Sequence, residues 1–209
     1  MTDTRLNYPA NLIIDYIGKS DRLTTFFRLI LVLPILILLG LVIGNDQAAE
    51  HHHGWHFLYQ GTGILFLPTL LMILFRQKYP KWWYDWNLAL TKFSYRVFSY
   101  LILLRDDYPS TDEEQAVHVE LIYPDTKKDL SRGMPLIKWF LAIPHLIILC
   151  FLYCALIVCT IIAWFTILFT GNYPKGLFDF VVGVLRWSLR VSAYAFLLTT
   201  DQYPPFSLE

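Results

Sequence analysis

Charge is scarce in this chain. Asp, Glu, Lys and Arg make up 16% of 209 residues, where soluble domains carry about 25%. Hydrophobic residues reach 56% and mean hydropathy is +0.44, which excludes an ordinary soluble enzyme. Neither sign predominates, since seventeen Lys and Arg meet seventeen Asp and Glu. A basic surplus of the kind that marks nucleic-acid binding is absent, and no nucleic-acid partner is expected. Cysteine is limited to Cys150, Cys154 and Cys159, all in one apolar stretch where thiols behave as small hydrophobes, so no disulfide framework is indicated. Phosphate-cradling glycine loops, Gly-x-Ser-x-Gly, His-Glu-x-x-His and intramembrane carboxylate pairs are also missing. These gaps point away from an enzyme and from a resident cofactor.

What is abundant is long apolar sequence. Residues 26–44 contain one charge, Arg28, and residues 57–75 contain none, each matching a bilayer crossing of about 20 residues. A third run, 135–169, is interrupted only by Lys138 and His145. As one helix it would be about 52 Å long at 1.5 Å per residue, well beyond a hydrocarbon core of about 30 Å. The expectation is a helical hairpin with spans at 136–153 and 154–170, one long tilted helix being the alternative. All seventeen Lys and Arg fall in 1–28, 76–138 and 175–209. Cytoplasmic flanks collect such residues, which puts both termini inside and the 45–56 loop outside. The first apolar run is preceded by acidic and strand-like sequence, so no signal peptide is expected.

The chain also aligns with itself. Residues 79–104 match 173–198 without gaps at an offset of 94, with ten of 26 positions identical, including Tyr100 with Tyr194. Upstream, Arg22 and Arg28 correspond to Arg132 and Lys138 at an offset of 110. Two units follow, 1–109 and 110–209. Each would hold two spans, so the copies would be parallel repeats about an axis along the membrane normal. The expected fold is all-α integral membrane: two parallel repeats, each a transmembrane hairpin followed by an amphipathic interfacial helix (82–104 and 177–198). Short cytoplasmic strand segments, 11–16 and 117–123, alternate apolar and polar residues and are expected to pair.

The interfacial helices carry the first candidate contacts. A second crossing there would bring Lys92 and Arg96, or Arg186 and Arg190, near mid-bilayer at about 2.5–3.5 kcal/mol each. Lying at the surface instead, these four would meet anionic lipid headgroups. Trp82, Trp83, Trp86 and Trp187 would serve as interfacial anchors, as rings do at headgroup level. His145, beside Pro144 within an apolar run, is an intramembrane polar candidate, although a neutral imidazole can simply serve a carbonyl freed by the proline. His51, His52, His53 and His56 form a dense imidazole cluster with metal-ligand chemistry. Three consecutive histidines do not converge easily on one ion, and a solvent-exposed loop is the competing reading.

The string from Leu168 to Phe180, with Gly183, Arg186, Trp187, Arg190, Tyr194 and Asp201-x-Tyr203-Pro204-Pro205-Phe206, resembles a bacterial integral-membrane family, domain-of-unknown-function family 4389. The resemblance covers most of the second unit, including Trp139 to His145, and the first unit more loosely. It implies a bacterial inner-membrane location and supplies no activity. The functional expectation is therefore a non-catalytic membrane accessory or scaffold subunit, with the bilayer, anionic lipids and a larger membrane-protein complex as partners. A small transporter or lipid-handling protein, or a metal-binding protein using the histidine loop, are the alternatives.

Overall fold

The computed structural model describes residues 8–43, 63–113 and 115–209. Its elements are β1 (Ala10–Ile14), α1 (Arg22–Leu31), α2 (Leu33–Ile43), α3 (Gly63–Arg76), α4 (Lys81–Leu101), β2 (Val117–Leu121), α5 (Met134–Thr170) and α6 (Lys175–Ala195). The two expected strands form and pair antiparallel, Leu12 opposite Val119 at the centre of the register. The fold is thus mostly helical with a small two-stranded sheet.

The expected hairpin in 136–153 and 154–170 does not form. α5 is one helix of 37 residues, because nothing between Phe151 and Cys154 breaks a helix: no glycine, proline or capping side chain interrupts the backbone ladder. It stops at Gly171, whose φ of 76° is a left-handed cap that glycine adopts without strain. α1 and α2 are bent by 42° at their junction, and α3 runs over 14 described residues. α5 is at least as long and as apolar as a membrane span, and so is the bent α1–α2 pair taken together.

Three layers stack. α5 lies antiparallel along α6 through one continuous stripe, including Ala142, His145, Leu149, Leu156, Ala163 and Ile167, spaced at the helical period. α2 lies along α4 in the same way, Val32, Ile35 and Leu39 meeting Leu90, Phe93 and Val97. Beneath α4 and α6 is the sheet, with Arg186 Nε of α6 donating to the Leu12 carbonyl at 3.0 Å and Tyr84 Oη of α4 donating to the Leu121 carbonyl at 2.5 Å. α4 and α6, expected as surface helices, are therefore the middle layer. Their apolar faces cover both the helices above and the strands below, which is why α6 buries thirteen residues.

Contacts recur between the halves. Tyr123 Oη donates to the Tyr79 carbonyl at 2.6 Å, and Tyr16 Oη donates to the Tyr173 carbonyl at 2.7 Å. Exposure follows the same correspondence. Residues 21–40 and 131–150 have the same burial class at every position, as do 71–80 and 165–174. By these offsets α1–α2 matches the first part of α5 and α3 its last part, with 44–62 interposed.

Candidate functional site

The most polar chemistry in the interior lies at two corresponding stations. In the first, the Arg28 guanidinium is buried, donates to the carbonyls of Tyr100 at 3.0 Å and Arg105 at 2.6 Å, and pairs with Asp106. Its Cζ stands 4.1 Å from the centre of the Tyr100 ring. The second station has Lys138, which donates to the Thr200 carbonyl at 2.7 Å and pairs with Asp201 at 2.7 Å. Its Nζ stands 5.2 Å from the centre of the Tyr194 ring. Each aspartate spends its other oxygen alike: Asp106 accepts from the Asp21 amide at 3.0 Å, and Asp201 from the Ser131 amide at 2.7 Å. A buried cation survives only when paired and hydrogen-bonded, and here carboxylate, carbonyl and ring together provide that. The chemistry is fastening: each station ties the entry of an apolar helix to the turn that ends the middle-layer helix, where Leu103 and Leu198 take φ of 68° and 55°.

His145 is enclosed beside the second station. Its Nδ1 accepts from Trp187 Nε1 at 3.1 Å, and its ring stacks on Phe206 with centres 3.9 Å apart. Accepting at Nδ1 places the proton on Nε2, a buried atom without a hydrogen-bond partner. The imidazole is wholly buried and is a packing and hydrogen-bonding group in this arrangement.

The expected headgroup residues separate. Arg96 and Arg190 are buried, with Arg96 donating to the Ser110 carbonyl at 3.1 Å, and Arg186 is committed to Leu12. Lys92 lies with Arg96, His118 and Glu120 around a small cavity between α4 and β2. The expectation that these four reach headgroups is corrected for the two buried arginines: the stripe read as headgroup-facing abuts the sheet and the turns. Trp187 is likewise buried and is not an interfacial anchor. Trp82 and Trp86 are exposed, and Trp83 donates through Nε1 to Thr69 Oγ1 at 2.8 Å. His51, His52, His53 and His56 lie outside the described residues. Among the described residues no group of three or more His, Cys, Asp or Glu is placed to hold a metal.

Near the sheet, burial raises the Tyr79 and Tyr173 hydroxyls well above the usual phenol range and pushes Tyr84 up to about 12, with the Asp85 charge adding to the burial. The aspartate partners were missed from sequence. Asp106 is 78 residues from Arg28, and only the closing acidic turn of each unit hinted at them.

The class that emerges is a layered helical protein whose outer helices are apolar and whose buried charges fasten those helices down. Residues 134–207 match the family model described as Domain of unknown function (DUF4389). No curated protein and no solved structure matches the chain.

Proposed function

We propose that this protein is a non-catalytic membrane scaffold, an accessory subunit of a larger membrane-protein complex. It is built from two copies of one unit: strand, apolar helix, middle-layer helix and closing acidic turn. The observation that carries the reading is the exposure of α5. Only 17% of its most apolar 18-residue window is buried, whereas a core helix of a soluble protein is mostly covered. Large side chains such as Phe140, Phe151 and Phe169 are 72–78% exposed, more apolar surface than a soluble monomer presents. The charged groups support a holding role, because Arg28, Lys138, Arg96 and Arg186 all donate to backbone carbonyls of the chain itself.

The test is native mass spectrometry, with blue-native electrophoresis, on protein extracted gently from its own membranes at natural abundance. The expected result is migration in a stable larger assembly. A lone protomer or a homo-oligomer would overturn the accessory reading and favour lipid handling.

A further inference from the structure

The geometry points to an in-plane membrane protein: α5 lies flat in one leaflet, with α1–α2 and α3 beside it in an apolar roof, and does not cross the bilayer. The occupant of the exposed roof face is the acyl layer of that leaflet. This rests on the membrane reading above and specifies its geometry.

Length is the first argument. At 37 residues α5 is about 55 Å long, and fitting it across about 30 Å of hydrocarbon would need a tilt beyond the 0–40° seen for crossing helices. Its two ends are also tied to connecting segments of the chain. At the start, the Ser131 amide bonds Asp201 and Arg132 Nε donates to Gln77 Oε1 at 2.9 Å. At the end, the Ser20 amide donates to the Gly171 carbonyl at 2.9 Å.

The position of the sheet decides the matter. Tyr153, at the middle of α5, meets Ser188 of α6 at 2.7 Å. Two residues away, Arg186 holds the centre of β1. The sheet is therefore level with the midpoint of α5, on the far side of α6. If α5 crossed the membrane, this two-stranded sheet, with Asp15, His118 and Glu120 exposed, would sit at bilayer mid-depth. Open strand edges and exposed charges are not tolerated there. With α5 in the plane, the sheet lies in water and the apolar face alone meets lipid, as for a monotopic helix.

Charge agrees. Exposed cations stand at both ends of the roof, Arg22 and Lys175 at one and Arg76, Lys81 and Arg132 at the other. A single crossing would divide them between the two sides of the membrane. Flat, they share one side, as the bias of basic residues toward the cytoplasm requires, and they meet the anionic headgroups of one leaflet.

The experiment measures depth along α5. In the full chain with Cys150, Cys154 and Cys159 replaced by Ala, single variants Phe140→Cys, Phe151→Cys and Phe169→Cys are spin-labelled. They are reconstituted in phosphatidylethanolamine–phosphatidylglycerol vesicles, and depth is read from relaxation by oxygen and by a water-soluble nickel chelate. The expected result is oxygen contact at all three labels, with depths agreeing within about one helical turn, about 5.4 Å. A depth gradient through mid-bilayer, with residues 140 and 169 near opposite faces, would overturn the in-plane geometry while leaving membrane insertion intact. Labels reached by the nickel chelate and not by lipid-dissolved oxygen would overturn both readings.

Discussion

Lys138 Nζ lies 2.7 Å from Asp201 Oδ1, with the lysine wholly buried at the entry of α5. Removing one partner strands the other charge, so Lys138→Met should destabilise the protein by about 3–5 kcal/mol. Asp201→Asn added to it should recover most of the loss, because Asn still accepts from the Ser131 amide while the unpaired charge disappears. Thermal unfolding of both variants in detergent checks this. A double variant no more stable than Lys138→Met would show that the pair is not what holds the turn to the helix.

Much of this station was legible in the sequence. The 110-residue offset aligned Lys138 with Arg28 and the 94-residue offset aligned Tyr194 with Tyr100, and each cation stands over the ring of its own half. Both strands were visible from their alternation. What hydropathy could not supply was direction. An apolar run of 35 residues reads the same whether it turns, crosses or lies flat, and residues 150–154 carry no signal of either sign. The amphipathic pattern of α4 and α6 has the same ambiguity, since a polar stripe packed on strands and turns is spaced like one facing headgroups. The corrected readings of Arg96, Arg190 and Trp187 follow from that single ambiguity.

Gly183 of α6 is where the C-terminal tail comes closest. A Cβ added there would stand 2.8 Å from the Leu208 carbonyl oxygen and 2.9 Å from Leu208 Cβ, too near for either to stay. Gly183→Ala should therefore lift the end of the tail, which also carries Phe206 against His145. Overpacking of this kind costs about 1–3 kcal/mol. Hydrogen exchange should show faster exchange at 206–209 in the variant, and unchanged protection there would show the tail is held elsewhere.

Alkaline stability should be set by the buried phenols. Tyr84 is pushed up to about 12, and Tyr79 and Tyr173 are raised above their usual value by burial. In the unfolded chain all three lose protons near pH 10, while the folded protein keeps them protonated. Ionisation then favours the unfolded state, so stability is fully present below pH 10 and falls as pH rises above it. Melting temperature measured from pH 8 to pH 11.5 should be flat and then decline. Tyr84→Phe should soften the decline, at a cost of about 1–3 kcal/mol at neutral pH for the Leu121 carbonyl left without its donor. A variant with the same alkaline slope would remove Tyr84 from the account.

The two halves differ in the pair that meets here. Ile35 stands at the position corresponding to His145, and Phe93 at that of Trp187, and these two share one apolar cluster. The second half replaces that contact by a hydrogen bond from Trp187 Nε1 to His145 Nδ1. His145→Ile alone should leave the indole N–H buried without an acceptor, costing about 1–3 kcal/mol beyond the change in packing. Adding Trp187→Phe removes that donor and recreates the pair already present in the first half. The double variant should thus be more stable than His145→Ile, as read by chemical unfolding. A double variant no more stable than His145→Ile would show that the indole N–H does not depend on the imidazole as its acceptor.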